Sequence, residues 1–262
     1  MAGSAPDKLR RLPDAAVRKV GSLPIAIDCD VPDAARCAAC PVRRLSFCAV
    51  FDRDELNLLD RISGDRHSEA GSALFHEGDE ATRIYVVRDG CLRLYRLLPD
   101  GRRQIIGFGL PGDFLGLASR DGYAYTAEAV VDSKVCWMRR RDADDLQARH
   151  PKLSRKLLEM SEEEHVRDHE HMLTLGRRAP QERVAAFLLQ HLARHVRRFG
   201  RDDDRLVLEM TRLDIADYLG LTIETVSRTF TRLRSQGLIT LARSHEVRLN
   251  DQQALRDLVG LD

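Results

Sequence analysis

The sequence predicts an α+β protein: an antiparallel β-roll joined by a long dimerisation helix to a winged helix-turn-helix. Three observations carry that prediction. Short strand-like runs alternate with turn signals between residues 74 and 113, a long polar helical stretch follows Pro151, and a helix, a short glycine turn and a second helix occupy residues 211–237. The boundaries drawn from these textures are a tail and cysteine loop over 1–50, the roll over 51–140, the long helix over 141–178 and the winged helix-turn-helix over 179–262.

In chain order, residues 1–28 hold Pro6, Pro13 and Pro24 with little periodicity, and residues 29–50 hold four of the six cysteines. A short helix is expected from about Asp52 to Arg61. Leu74-Phe75, Ile84–Val87, Leu92–Tyr95 and Gln104–Phe108 then read as strands. Between them lie Glu77-Gly78-Asp79, Asp89-Gly90, Pro99-Asp100-Gly101 and Pro111-Gly112-Asp113, where glycine supplies the positive φ of tight turns. Strands this closely spaced suit a small roll or barrel running to about Met138.

Helical texture resumes at Arg141. Pro151 suits the first turn of a helix reaching about Arg178, and a second helix is expected from Pro180 to Phe199. The long helix has apolar residues early (Leu153, Leu157, Leu158, Met160) and late (Met172, Leu173, Leu175), but its middle is acidic. A stable coiled coil would keep an apolar seam there. The expected dimer is therefore only marginally stable, with Leu157, Met160, Asp168, Met172 and Leu175 taken as its interface. The pairs His165/His169 and His191/His195 stand at i, i+4 and are read as surface histidines.

Thr211-Arg212-Leu213-Asp214 resembles a capping box with Asp in place of Glu or Gln. Gly220-Leu221-Thr222 makes the turn, with Thr222 as the next N-cap. A second helix runs from Ile223 to about Gln236, and Leu238–Ala242 and Val247–Leu249 suit a wing. Glu224, Ser227 and Arg228 fall at i, i+3 and i+4 and so share one face near the helix N-terminus, the part of a recognition helix that meets base edges. Arg matches guanine O6 and N7, and Glu accepts from cytosine N4. Thr225, Thr229, Arg232 and Arg234 are candidates for phosphate contacts.

Charge supports that placement. The whole chain is formally +1, but Arg177 to Arg248 holds fourteen Arg and no Lys against nine acidic residues. No apolar run approaches the roughly 18 residues of a membrane span. The first twenty residues carry Lys8, Arg10, Arg11, Arg18 and Lys19 without an apolar core, so no secretory leader is expected and a cytoplasmic protein is. Six cysteines in a reducing compartment are metal ligands, redox groups or buried thiols rather than disulfides. Cys37-Ala38-Ala39-Cys40 followed by Cys48 can wrap one soft metal centre, and the pair alone favours zinc or a redox dithiol. A thiol–disulfide enzyme would require a βαβ context that the sequence lacks. Cys29 is read as a spare thiol and Cys91 as a small buried hydrophobe.

Asp214-Ile215-Ala216-Asp217-Tyr218-Leu219-Gly220-Leu221-Thr222-Ile223-Glu224-Thr225-Val226-Ser227-Arg228 closely resembles the recognition segment of the Crp/Fnr family of bacterial regulators, in the Glu-x-x-Ser-Arg version of its Fnr and FixK branches. The turn glycines resemble those of the family's cyclic-nucleotide-binding-like roll, and the helix after Pro151 its dimerisation helix, so the likeness runs from about residue 37 to 250. The resemblance implies a homodimer that reads a TTGAT-type palindrome in double-stranded DNA, works with RNA polymerase, and activates or represses transcription. It implies Cys37, Cys40, Cys48 and Cys136 as ligands of an oxygen-labile [4Fe–4S] cluster, with zinc the alternative and nitric oxide or peroxide as other signals. Cys48 stands further from the pair than in the best-known Fnr pattern. Asp168 falls where the family carries an acidic residue in the dimer seam. Cyclic AMP binding is not expected, because Leu117 stands where a phosphate-pocket Glu belongs and no Arg occurs from Asp121 to Ser133.

Overall fold

The computed structural model describes residues 36–116, 122–200, 204–243 and 245–260. Leu117 and Cys29 lie outside the described residues. The strand-rich half forms two four-stranded antiparallel sheets. One has the order β1(Ser63–Ser68)-β8(Ser133–Arg139)-β3(Arg83–Asp89)-β6(Phe114–Leu115), the other β2(Ala73–Phe75)-β7(Thr126–Ala129)-β4(Leu92–Leu97)-β5(Arg103–Gly109). Among the described residues every strand pair of the roll is antiparallel. Inside the roll Phe75 stacks on Tyr123 with ring centroids 3.8 Å apart.

Before the roll, two short 3-10 helices (Arg43–Leu45 and Phe47–Val50) carry the cysteine loop into α1 (Arg53–Ile62). Asp52 and Glu55 close a capping box on α1, which fixes where the loop ends. The turn at Gly112 is locked to this loop. Its φ is +98°, and a Cβ there would fall 2.7 Å from Leu45 Cβ, so only glycine fits both the turn and the contact.

After the roll come α2 (Arg140–Arg149), the long α3 (Pro151–Arg177) and α4 (Pro180–Phe199). Leu157 and Met160 were expected in a dimer seam, but both pack against their own chain's core beside the cysteines. The apolar residues that α3 leaves open are Leu158 (60%), Val166 (62%), Met172 (59%) and Leu173 (55%). Asp168 is exposed and Leu175 half-buried. The first turns of α3 thus spend part of their apolar surface on the cysteine-loop core, where Leu157 and Met160 are half-buried.

The C-terminal part holds α5 (Arg212–Leu219), α6 (Ile223–Ser235), a three-stranded sheet in the order β10(Ile239–Arg243)-β11(Glu246–Leu249)-β9(Arg205–Val207), and α7 (Gln252–Val259). The sequence reading lacked β9 and α7. Gly220, at φ +60°, ends α5 and makes the turn.

The roll and this part share one apolar core. Phe108 of β5 meets Phe187 and His191 of α4 and Tyr218 of α5, with centroids 6.4, 6.0 and 5.4 Å apart. His191, expected at the surface, is 4% exposed. Burial, with Arg194 adding to it, pushes its imidazole down to about 3 from the usual 6.5. His171, stacked on Tyr218 at 4.0 Å, is pushed down to about 4 by burial. Both are neutral when folded, so the unfolded chain takes up protons first as pH falls. Their stabilisation is complete above about pH 6.5 and declines below it, with a slope from His191 approaching about 1.4 kcal/mol per pH unit. Urea midpoints should therefore drop between pH 7.5 and 5.5; a constant or rising midpoint would contradict this assignment. Among the described residues no helix is long and apolar enough to cross a membrane.

Candidate metal centre and nucleic-acid interface

Cys37, Cys40, Cys48 and Cys136 line one pocket, although they come from three separate pieces of chain. Cys37 and Cys40 sit in a tight turn, with Cys40 N–H donating to Cys37 O (3.4 Å). Cys37 N–H also donates to Asp60 Oδ1 on α1 (2.9 Å), which pins the turn to the helix. Cys48 lies in the second 3-10 helix, whose N-cap Ser46 accepts from Cys48 N–H at 3.3 Å. Cys136 projects from β8, where it lies between Asp65 of β1 and Val86 of β3 in the sheet register. The remaining wall is largely apolar and includes Phe47, Leu59, Ile84 and Met138, with Arg36, Asp65 and Arg88 at one side.

Burial pushes the Cys37, Cys48 and Cys136 thiols up. Cys48 reaches about 12, and Cys136, with Asp65 adding to burial, about 11. Cys37 is raised by burial and then by the Asp60 carboxylate. These three are therefore neutral thiols at neutral pH until a metal displaces their protons. Among the described residues, no three of His, Cys, Asp and Glu stand close enough together to hold a single metal ion. A mononuclear zinc site needs sulfurs about 2.3 Å from one point. A [4Fe–4S] cluster instead takes one thiolate at each iron corner, so its ligands surround a pocket. Four thiols from three pieces of chain around one pocket are a donor set suited to thiolate ligation of a [4Fe–4S] cluster.

The pocket is mechanically joined to α3. The core beside the cysteines contains Phe47, Phe51, Leu56 and Leu153, with Leu157 and Met160 packed against it. Phe51 meets His150 edge-on at 5.5 Å. Glu55 receives Lys152 at 2.6 Å and His150 at 3.0 Å. Anything that loosens the cysteine loop therefore acts on the first turns of α3.

The recognition face is open. Glu224, Ser227 and Arg228 are exposed near the start of α6, and Arg232 and Arg234 are exposed further along. Thr225 is half-buried, its hydroxyl 3.0 Å from that of Thr222. Thr229 departs from the expected phosphate set. It is 7% exposed and its hydroxyl donates to Thr225 O at 2.8 Å, because i, i+4 back-bonding and the Val226/Phe230/Leu233 core draw it inward.

Sequence reasoning missed the ion-pair network that ties this domain to the roll. Asp214, third residue of α5, accepts from Thr211 N–H through Oδ2 (3.0 Å), as the capping box requires. Its Oδ1 accepts from Arg93 of β4 (3.2 Å) and Arg103 of β5 (3.0 Å). Arg103 also donates to Asp217 (2.7 Å), Gln104 to Asp217 O (2.9 Å), and Arg93 to Glu128. The capping box was visible as a local pattern, but its partners lie more than a hundred residues away.

Comparison with known proteins agrees with this architecture. The family described as cyclic nucleotide-binding domain matches residues 65–150, and that described as Crp-like helix-turn-helix domain matches residues 182–258. The nitrogen fixation regulation protein FixK of Bradyrhizobium diazoefficiens is 41% identical over 80% of this chain and 88% of its own length. The transcriptional activator protein FnrL of Cereibacter sphaeroides is 35% identical over 87% of this chain and 93% of its own. The structure of FixK2 from Bradyrhizobium japonicum superposes with a TM-score of 0.69 at 36% identity, covering 75% of this chain and 97% of the other.

Proposed function

The chain belongs to the Crp/Fnr family of DNA-binding transcription regulators, and from that premise we propose that it acts as a homodimer on a TTGAT-type palindrome under control of an oxygen-labile [4Fe–4S] cluster. The observation that carries the proposal is the convergence of Cys37, Cys40, Cys48 and Cys136 on one pocket. When bound, the cluster supplies a cross-link that oxygen can break. The chain's own residues transmit its presence. Cys136 holds the loop to β8, and Phe47, Phe51 and Glu55 hold the loop to His150, Lys152 and the first turns of α3. With the loop seated, α3 is fixed at its start and presents Leu158, Val166, Met172 and Leu173 to a second copy. Asp168 opposes its counterpart in that dimer, so pairing depends on the seated loop. The signal is read at the cysteines and not as cyclic AMP in the roll, consistent with the absence of Arg from Asp121 to Ser133. RNA polymerase is the second macromolecular partner, as expected for a regulator of this family.

Iron, acid-labile sulfide and zinc content of protein purified without oxygen tests the cofactor. About four iron and four sulfide per chain are expected. One zinc without sulfide would replace the cluster by a structural clip and leave DNA binding in place.

DNA reading has its own test. Arg228→Ala should remove about 1–3 kcal/mol of discrimination at one base of each half-site, measured by competition among single-base operator variants. Equal weakening for every operator variant would show that Arg228 contacts phosphate instead.

A further inference from the structure

One side of the cysteine pocket is not apolar. Alternation along the strands sends Ser63 and Asp65 of β1, Cys136 and Met138 of β8, and Ile84 and Val86 of β3 to one face of the sheet, and Arg88, at a bulge in β3, lines the same pocket. The register sets Asp65 directly beside Cys136, and Arg88 lies two residues beyond Val86. Arg88 donates to Asp65 Oδ2 at 2.7 Å. Arg36 approaches the same oxygen at 3.7 Å from the loop side. Its own guanidinium is held by Asp60 O (3.0 Å), Ser63 O (2.9 Å) and Ser63 Oγ (3.1 Å). Both arginine side chains are about four-fifths buried, at 21% and 18% exposure, while Asp65 is 44% exposed. Two fixed cations therefore stand beside the cysteines together with two carboxylates: Asp60, 5% exposed and 3.4 Å from Arg36 Nε, and Asp65, which joins both arginines and is the more open to water.

This geometry has an electrostatic consequence for the proposed centre, and the inference rests on that reading. Four thiolates around a [4Fe–4S]2+ core carry a net charge of −2, and one added electron makes it −3. Nearby cations stabilise the more negative state, and net charge beside a cluster is one of the levers on its reduction potential. We propose that Arg36 and Arg88, yoked through Asp65, set the redox properties of the centre: they raise its reduction potential and slow its loss of an electron to molecular oxygen. They are positioning residues, since neither is a ligand. Asp65 works against them, so the two kinds of side chain have opposite signs.

The test exploits those signs. Full-length protein and its Arg88→Gln, Arg88→Lys and Asp65→Asn variants are prepared without oxygen and assayed for iron and sulfide. They are then titrated with dithionite, followed by visible absorption and electron spin resonance, and separately exposed to air. Arg88→Gln should move the midpoint to a more negative potential and shorten the lifetime in air by about threefold or more. Asp65→Asn should move the midpoint positive and lengthen the lifetime. Arg88→Lys, which keeps the charge, should stay near the parent. A purely structural role would instead shorten the lifetime in both Arg88→Gln and Asp65→Asn, and that result, or unmoved midpoints, overturns the inference while leaving the cluster in place. If Arg88→Gln holds no cluster, Asp65→Asn decides alone: a positive shift supports the proposal, a zero or negative one overturns it. Parent protein without iron and sulfide would instead sink the cluster reading, and this inference with it.

Discussion

Asp214→Ala is expected to destabilise the protein by about 3 kcal/mol, the low end of the 3–5 kcal/mol range for removing one partner of a buried charge pair. Asp214 is 1% exposed and each of its oxygens is occupied: Oδ2 caps α5 through Thr211, and Oδ1 receives Arg93 and Arg103. Loss of the cap alone is worth about 1 kcal/mol. The remainder is the cost of leaving two half-buried guanidiniums with one anion fewer, moderated because Arg93 keeps Glu128 and Arg103 keeps Asp217. Asp217→Asn, at the more open end of the same network, should cost about 1 kcal/mol or less. Urea unfolding with an unchanged m-value measures both. An Asp214→Ala midpoint equal to the parent's would mean that the roll and α5 are not held together by this network. A functional consequence follows, since the same carboxylate that starts the helix before the recognition helix is gripped by two strands of the roll. The variant should also bind operator DNA more weakly, although Asp214 is too deeply buried to touch it.

The second large effect is at Cys136. It is the one pocket cysteine that comes from the roll rather than from the loop. Cys136→Ser should leave less than about half of the parent iron and sulfide after anaerobic purification, since the cluster type requires four thiolates, and should lower operator affinity by about tenfold, the equivalent of 1.4 kcal/mol. Cys91→Ala is the matched comparison. Cys91 is fully buried, but it lies away from the pocket, in the core shared by β5 and α4. It should cost stability through lost packing and leave iron content unchanged. Equal iron in the Cys136→Ser and parent proteins would remove Cys136 from the ligand set.

Much of this was legible from local pattern. The 3.6-residue period, Pro151 at a first turn and the Thr211–Asp214 cap placed α3 and α5 to within a residue, and Thr222 and Gly220 placed the turn between α5 and α6. The glycine turns gave β2 to β5 of the roll but not β1, β6, β7 or β8. The exposed face shared by Glu224, Ser227 and Arg228 was readable because i, i+3, i+4 spacing decides it. Long-range facts were not. Arg93 and Arg103 looked like ordinary strand charges until the fold placed α5 against them. Arg36, Asp65 and Arg88 gave no spacing signal, because a sheet register and not a sequence interval joins them. Thr229 was misjudged because its polar side chain was read as outward, whereas a hydroxyl can satisfy itself on the preceding turn. His191 was misjudged for a related reason: on α4 an apolar face with Phe187 and Leu188 outweighs one imidazole. Leu157 and Met160, half-buried against their own chain's core, show what a helix pattern alone does not reveal. An apolar residue on a long helix has two possible customers, a second copy and its own chain, and only the position of the cysteine loop decides between them.

The central claim is that the cysteine centre controls DNA binding. The most direct measurement is the affinity of anaerobically purified full-length protein for a TTGAT-type palindrome, at one fixed salt concentration, before and after exposure to air. A loss of about tenfold or more, in step with loss of iron and with dissociation of the dimer, is the result this account predicts. Unchanged affinity after the iron has gone would contradict it, and would leave the family's DNA-reading machinery intact but under some other control.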